Sequence, residues 1–209
     1  MPRLSDLQDR RGRALRDRVC RGLTGDVLEI GFGSGLNVPH YPPAVRRVLA
    51  VEPSDVAWRL AGRRIAASPV PVDRVGLDGQ RVPLEDASVD SALSTLTLCT
   101  IPDPAAALAE VFRLLRPGGV LHFVEHGRAP EPRVARWQDR LQPLNMRLYA
   151  GCRLDLAVDE CLAASDLVVE DLDRFYLRGP SPFGYLYLGR ARRPSAGQGR
   201  DSEGEHRPG

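Results

Sequence analysis

Lysine is absent from this sequence of 209 residues, and all 29 basic residues are arginine. With 27 acidic residues the formal net charge is only +2, which is too small to favour nucleic acid as a partner. No apolar run approaches the roughly 20 residues that a membrane-spanning helix needs. No apolar segment follows the arginine-rich N-terminus, so no signal peptide is predicted and we expect a cytoplasmic protein.

Cysteine is scarce as well, and the four cysteines Cys20, Cys99, Cys152 and Cys161 form no CxxC pair. We therefore expect reduced thiols rather than a disulfide framework. Cys99 and Cys152 are interpreted as small buried residues rather than as nucleophiles. No spacing of histidine, cysteine and carboxylate residues indicates a ligand set, so no metal site is predicted.

Strand-like apolar runs alternate with helix-like segments after Asp26. This alternation predicts a doubly wound, mostly parallel sheet with helices on both faces. Pro117-Gly118-Gly119 is expected to stop the second of these helices. The predicted strands are Val27–Gly31, Arg47–Glu52, Asp73–Leu77, Val89–Leu96 and Val120–Glu125, and the predicted helices are Asp55–Ala67 and Asp103–Leu115.

The alternation ends after Glu125. Two helices are predicted next, and then two strands joined by the turn-rich stretch LRGPSPFG, which indicates an antiparallel pair that closes the sheet. These elements are the helices Val134–Tyr149 and Asp155–Ala164 and the strands Leu167–Tyr176 and Tyr185–Ala191.

Three segments are predicted along the chain. Residues 1–25 hold a basic helix, from Leu4 to about Gly22, packed on or near the domain; contact of residues 1–22 with a membrane surface is the less favoured alternative. Residues 26–191 form the main domain. Residues 192–209 lack large apolar side chains and are predicted to be disordered.

Three glycines at alternate positions, Gly31, Gly33 and Gly35, follow the first strand in the stretch VLEIGFGSGLN. In a doubly wound sheet, ligands bind beyond the carboxyl ends of the strands, where this turn lies. A dinucleotide site would have glycine at the position of Leu36, giving G-x-G-x-x-G. The observed spacing favours a ligand that lies against the turn without a pyrophosphate, although a plain tight turn is the alternative.

Two acidic residues follow the next strands in order. Glu52 ends the second strand, where a carboxylate can accept hydrogen bonds from ribose hydroxyls. Asp78 follows the third strand and could accept a hydrogen bond from an adenine amino group. Either carboxylate alone could be merely solvated, but the ordered set with the glycines indicates a nucleoside ligand.

The stretches VLEIGFGSG, VLAVEP, LDGQRVPLEDASVD and VFRLLRPGGVLHFVEHG carry a resemblance. Together they cover residues 26 to 127 and resemble the class I S-adenosylmethionine-dependent methyltransferases of the methyltransferase type 11 kind. The resemblance implies a Rossmann-like sheet of seven strands whose last strand is antiparallel, with S-adenosylmethionine as cofactor. It also implies a role for each of eight residues. Gly31, Gly33 and Gly35 would line the cofactor, Glu29 would orient the turn or reach the methionine amino group through water, Glu52 would hold the ribose, Asp78 and Gly79 would hold the adenine, and the backbone near Thr95 would face the methionine amine.

A closer resemblance lies in STLTLCTIPDPAAAL, FVEHG, RWQDRLQP and GCRLD. These stretches are similar to small-molecule methyltransferases related to the animal alkyl-thiol methyltransferases, and imply a small, partly apolar acceptor such as a thiol. A quinone, a sterol or a phospholipid head group is an alternative acceptor. A non-catalytic S-adenosylmethionine-binding module is the alternative from another class of protein.

His126 follows the fifth strand and is the candidate general base for an acceptor that must lose a proton. A structural histidine that bonds a loop backbone is the alternative, and His40 could also face the pocket. The acceptor is expected beneath the segment after Gly127. There Trp137, Leu141, Met146 and Tyr149 recur at helical spacing, either as core residues or as the lining of an apolar pocket. The oligomeric state stays open.

Overall fold

The computed structural model describes residues 4–148, 151–177, 179 and 181–195, with backbone alone for residues 4–11. The helices are α1 Leu4–Cys20, α2 Asp55–Ala66, α3 Pro104–Leu114, α4 Pro132–Leu148 and α5 Val158–Ala163. The strands are β1 Gly25–Ile30, β2 Val45–Val51, β3 Val72–Gly76, β4 Val89–Thr95, β5 Leu115–His126, β6 Val168–Tyr176 and β7 Tyr185–Arg192. Short 3-10 turns lie at Val38–His40 and Ser181–Phe183.

The seven strands form one sheet in the order β3-β2-β1-β4-β5-β7-β6. Strands β1 to β5 pair in parallel, and β7 is antiparallel to both of its neighbours. The predicted doubly wound sheet with its antiparallel last strand is confirmed. Because the strand order reverses between β1 and β4, the loops that follow these two strands diverge and leave a crevice between them.

The sheet is buried on both faces because successive side chains of a strand point to opposite sides. In β1, Leu28 and Ile30 join the apolar cluster of one face, whereas Val27 joins the cluster of the other. In β5, Phe123 and Val124 divide in the same way. This double burial explains why the strands appear in the sequence as continuous apolar runs.

Helix α3 begins where Asp103 accepts a hydrogen bond from the Ala106 backbone N–H at 3.0 Å, with Pro104 in the first turn. The expectation that Pro117-Gly118-Gly119 stops this helix is wrong in detail. Leu115 already has extended backbone and pairs with Val89, so the proline and glycines lie within β5 at a shift of register.

The predicted start of the tail at residue 192 is also wrong. Arg192 belongs to β7 and pairs with β5 and β6. The Arg193 guanidinium donates to the carbonyl oxygens of Phe112, Arg113 and Leu115 at 2.6 to 3.0 Å. The last carbonyls of α3 have no partner within the helix, and Arg193 satisfies them while its guanidinium lies 4.7 Å from the centroid of the Phe112 ring. Residues 196–209 lie outside the described residues, so their disorder stays a prediction.

Helix α1 packs on the sheet through its last turn, where Val19 and Cys20 are buried beside β1. The Val19 carbonyl oxygen lies 3.1 Å from Nδ1 of the buried His122 on β5. Within the described ranges no helix combines the length and the apolar character needed to cross a membrane. Contact of residues 1–22 with a membrane surface stays a prediction, as does the division of the chain into three segments.

Candidate functional site

A cavity of about 620 Å³ lies at the carboxyl ends of β1 to β4, at the point where the strand order reverses. This volume is typical of small-molecule sites. Five of the eight predicted cofactor residues line it, namely Gly31, Gly33, Glu52, Asp78 and Gly79. The remaining lining residues are Ile30, Val51, Pro53, Ser54, Leu77, Gln80, Leu96, Thr97, Thr100, Ile101 and Pro102.

The three glycines of the first loop all have positive φ, but for different physical reasons. A Cβ at Gly31 would lie 2.0 Å from Thr97 Oγ1, so the neighbouring loop leaves no space for a side chain. A Cβ at Gly35 would press on Ala61 and Phe32 at 3.2 and 3.3 Å, and this glycine packs α2 without lining the cavity. At Gly33 a Cβ would meet, among the described residues, only the Gly31 carbonyl oxygen at 3.9 Å. Gly33 is therefore the position in this loop where the backbone, without a side chain, faces the open space of the cavity.

Glu52 joins the first two loops of the cavity. Its carboxylate accepts hydrogen bonds from the Gly33 N–H at 2.6 Å and from the Ser54 N–H at 2.7 Å. Only 6% of the residue is exposed. The Arg74 guanidinium donates to the Glu52 carbonyl oxygen at 2.7 and 2.9 Å and fixes the end of β2. The carboxylate thus stands at the cavity wall in a fixed orientation, and its contact with a ribose stays a prediction.

Asp78 lies on the opposite rim and is exposed. Its Oδ1 accepts from both the backbone N–H and the side-chain amide of Gln80, at 2.9 and 3.1 Å. Gln80 in turn accepts from the Asp103 N–H at 3.0 Å and links this loop to the start of α3. Sequence reasoning missed Gln80. A Cβ at Gly79 would lie 3.3 Å from Ile101 and 3.6 Å from Ile30, two apolar side chains that also line the cavity.

Glu29 lies beneath the glycine loop and is 1% exposed, outside the cavity lining. Its carboxylate accepts hydrogen bonds from the Asn37 amide at 2.9 Å and from the Tyr41 hydroxyl. Arg16 donates to the other end of the Asn37 side chain at 2.7 Å. Burial raises the pKa of Glu29 to about 7, against the opposing effects of Tyr41, Asn37 and Arg16. Of the two roles predicted for Glu29, this arrangement favours orientation of the loop.

The loop after β4 reaches the cavity one residue later than predicted. The Thr95 side chain accepts from Asn37 at 3.0 Å and lies outside the cavity lining, whereas Leu96 and Thr97 line it. The fully buried Glu125 holds this loop, because its carboxylate accepts from the Thr97 N–H at 3.1 Å and the Cys99 N–H at 3.2 Å. Burial raises the pKa of Glu125, while these hydrogen bonds lower it. Sequence reasoning missed this role of Glu125, although an acidic residue inside an apolar strand is a signal of a buried carboxylate with backbone partners.

His126 lies at the end of β5, outside the cavity lining. Its Nδ1 is 3.5 Å from Cys152 Sγ, which is 3.5 Å from Cys99 Sγ. The hydrogen bond from Cys99 lowers the pKa of Cys152 to about 5, with a further contribution from His126, whereas burial opposes the change. The same contact and burial raise the pKa of Cys99. Both thiols are buried, and their sulfur atoms lie close to a ring nitrogen of His126, a grouping that no spacing in the sequence marks; the absence of a metal site stays a prediction.

Helix α4 buries Ala135, Gln138 and Asn145 rather than the predicted set, of which Leu141 is half-buried. Trp137 and Met146 are 53% and 44% exposed, and Tyr149 lies outside the described residues. The buried positions include Gln138, which bonds the Ala129 N–H at 2.9 Å and the Gly127 carbonyl oxygen at 3.0 Å. Further along, the Asn145 amide donates to the Cys152 carbonyl oxygen at 2.7 Å. Amide side chains therefore fasten α4 to the segments on either side of it.

His40 stands apart from the cavity at the carboxyl ends of the strands. Its Nδ1 lies 2.5 Å from an Asp17 carboxylate oxygen on α1. It lines a different surface depression together with Leu36 and residues of α1 and α2. The expectation that His40 faces the pocket is therefore wrong.

Comparisons with known proteins agree with this geometry. Residues 28–123 match the family model of a methyltransferase domain. Human thiol S-methyltransferase TMT1B is 36% identical over 143 residues, 64% of this chain and 58% of that protein. The demethylmenaquinone methyltransferase of Clavibacter sepedonicus is 27% identical over 137 residues, 65% of this chain and 56% of that protein. Geranyl diphosphate methyltransferase, solved in complex with S-adenosylmethionine, has a TM-score of 0.68 at 17% identity, covering 91% of this chain and 87% of its own.

The strand order and the cavity at the switch point agree with the match of residues 28–123 to a methyltransferase domain. This part of the chain is similar to the animal thiol S-methyltransferases, and the domain match supports S-adenosylmethionine as the predicted cofactor. The chain spans a little over half the length of the curated relatives it matches. The roles of individual residues toward the cofactor remain proposals.

Proposed function

We propose that the protein transfers the methyl group of S-adenosylmethionine to a small thiol. The observation that carries the proposal is the cavity at the switch point, where the bare backbone of Gly33 faces open space beside the oriented carboxylate of Glu52. A ligand with a ribose fits there because a buried carboxylate accepts hydrogen bonds from adjacent hydroxyls. Asp78 and Gly79, which line the same cavity, would hold the adenine.

The chemistry asks little of the protein beyond alignment. S-adenosylmethionine supplies, when bound, a methyl group on a positively charged sulfur, which needs no further activation. The chain has to hold the acceptor in line with that methyl group and keep water out. The loop after β4 is suited to this task because Glu125 fixes its backbone at Thr97 and Cys99.

The choice of a thiol as acceptor rests on the relatives and on His126 as a candidate base. Human TMT1B is a thiol S-methyltransferase, and it aligns with 64% of this chain at 36% identity, against 65% at 27% identity for the demethylmenaquinone methyltransferase. A free thiol has a pKa near 8.5, so only a few per cent is thiolate at neutral pH, and a base would increase its reactivity. His126 as that base stays a prediction.

Methyl transfer from labelled S-adenosylmethionine to two acceptor panels tests the proposal. One panel holds alkyl and aryl thiols, and the other holds demethylated quinols, because a quinone methyltransferase is the alternative that a relative favours. We expect labelled thioethers and no labelled quinol ether. Labelling of quinols alone would overturn the thiol assignment. Tight cofactor binding with no transfer to either panel or to a lysate extract would favour a non-catalytic binding module.

A further inference from the structure

Three side chains with nitrogen or sulfur donors converge beside the cofactor cavity. They are Cys99 from the loop after β4, His126 at the end of β5, and Cys152 from the segment after α4. Their donor atoms, two Sγ and one ring nitrogen, all lie within 4.8 Å of one another. The two closest pairs, Cys99 Sγ to Cys152 Sγ and Cys152 Sγ to His126 Nδ1, are each 3.5 Å apart.

These separations fit a single tetrahedral ion. A zinc ion with Zn–S of about 2.3 Å and Zn–N of about 2.0 Å holds its sulfur and nitrogen ligands roughly 3.5 to 3.8 Å apart. The two 3.5 Å distances are therefore within a few tenths of an ångström of those in a zinc site. Cys99 Sγ and a ring nitrogen of His126 lie within 4.8 Å of each other, and a small side-chain rotation would bring them to the separation found in a zinc site.

The backbone around the donors is held in place by hydrogen bonds. The Cys99 N–H donates to the buried Glu125 at 3.2 Å, and the Cys99 carbonyl oxygen accepts from the Arg153 N–H at 2.7 Å. The Cys152 carbonyl oxygen accepts from the Asn145 amide at 2.7 Å. Ligands fixed by such contacts lose little freedom when an ion binds, because the outer hydrogen bonds already orient them.

We propose that Cys99, His126 and Cys152 bind one zinc ion. Two sulfur donors and one imidazole suit zinc, whereas calcium and magnesium prefer oxygen ligands. In the complex both sulfurs are thiolates, with any proton still on a thiol released to solvent, and two thiolates with a neutral imidazole cancel the charge of Zn²⁺. A neutral cluster is compatible with burial, which strongly disfavours uncompensated charge. Three protein ligands leave the fourth tetrahedral position for a ligand from solution.

The ion would stabilise the wall of the cofactor cavity. Cys99 lies between Thr97 and Thr100, both of which line that cavity. A bond from Cys99 to the ion, together with the hydrogen bond from its N–H to Glu125, would restrain this loop from two sides. Metal binding and cofactor affinity should therefore be coupled, although metal binding itself does not depend on any methyl transfer.

Metal binding is tested on the reduced, untagged full chain without cofactor or acceptor. Zn²⁺ is added, unbound ion is removed, and bound zinc is counted by elemental mass spectrometry, with Co²⁺ as a spectroscopic probe. We expect about one equivalent of zinc, and cobalt absorption from thiolate ligands in tetrahedral geometry. Cys152→Ser and His126→Gln should each weaken zinc binding by about 100-fold or more. Cys161→Ser, which changes a cysteine outside the cluster, should leave it unchanged.

His126→Gln protects the test against misfolding, because His126 is partly exposed whereas Cys99 is fully buried. Circular dichroism confirms that each variant is folded. Absence of saturable zinc and cobalt binding by the reduced protein would overturn the proposal. Binding that survives in folded Cys152→Ser and His126→Gln would also overturn it, because the ion would then lie elsewhere. A Cys99–Cys152 disulfide formed in air, with no metal uptake after reduction, would likewise refute it and assign the pair to thiol oxidation.

Discussion

Replacing Glu52 by alanine should weaken binding of the cofactor by about 1–3 kcal/mol, the usual loss for hydrogen bonds to a charged group. This is roughly a 5- to 150-fold increase in the dissociation constant, at 1.4 kcal/mol for each factor of ten. The carboxylate accepts from the Gly33 and Ser54 N–H groups at 2.6 and 2.7 Å. The loss therefore combines two effects, since the ribose loses its acceptor and both loops lose their link.

A double-mutant cycle separates the two effects. Calorimetry would measure S-adenosylhomocysteine and its 2′-deoxy analogue with the native protein and with Glu52→Ala. If the carboxylate holds the ribose, removal of the hydroxyl should weaken binding to the native protein and have little effect on the variant. Glu85→Ala, which removes an exposed glutamate outside the cavity lining, is the matched control and should bind both ligands normally.

The size of the coupling decides between the interpretations. Penalties that add within about 0.5 kcal/mol indicate independent sites. Additive penalties would therefore show that Glu52 only fastens Gly33 and Ser54, and the ribose assignment would be wrong. An unchanged dissociation constant for Glu52→Ala would refute both roles.

Four further predictions follow from the same geometry. Gly33→Val should abolish cofactor binding in a folded domain because the side chain would point into the cavity at a φ of +59°. Gly62→Val, in a helix with open space around it, is the control and should still bind the cofactor. Normal cofactor binding by Gly33→Val in calorimetry would contradict the prediction. Burial raises the pKa of Glu29 from 4.5 to about 7, so its protonated form stabilises the fold at low pH and that stability is lost as pH rises through 7. In urea unfolding measured from pH 5 to 8, Glu29→Gln should remove this loss of stability, which is at most roughly 3 kcal/mol. Parallel pH profiles for the native protein and the variant would refute the prediction. Arg193→Ala should lower the melting temperature because three carbonyls at the end of α3 lose their donor, whereas truncation after residue 195 should leave it unchanged. His126→Ala should lower turnover of a thiol by roughly 10²-fold at pH 7 and by less at pH 9 if the imidazole is the base, a role that excludes zinc binding by the same ring. Equal loss at both pH values would indicate that His126 binds the proposed zinc ion or stabilises the fold.

The cofactor loops were predictable because their signals are local and their order is fixed by topology. Glycines after β1, an acidic residue after β2 and another after β3 reach one edge, since the carboxyl ends of parallel strands meet there. Gly33, Glu52 and Asp78, predicted in this way, line the cavity, while their contacts with the cofactor stay predictions. Thr95 and Glu29 were placed correctly along the chain but lie outside the cavity lining, because the direction of a side chain depends on what packs beside it.

Helix α4 shows where patterns of apolar residues fail. Trp137 and Met146 share a helical spacing with the expected core, yet the buried positions carry Gln138 and Asn145. A buried amide is tolerated when each of its polar atoms finds a partner, and here those partners are backbone groups of distant segments. No property of the helix sequence alone reveals such partners.

The sequence by itself determined the parallel sheet, its antiparallel last strand and the cofactor loops, since hydrophobic period and turn residues act over short stretches. Only the tertiary structure decided which side chains meet across long separations. Cys99, His126 and Cys152 lie more than twenty residues apart, with no spacing that marks them as a set, and they meet because β4 and β5 end side by side and α4 returns the chain to that edge. Arg193 likewise caps α3 because β7 runs antiparallel beside β5 and ends near the helix terminus. Contacts of this kind depend on how distant segments are brought together, which local patterns do not encode.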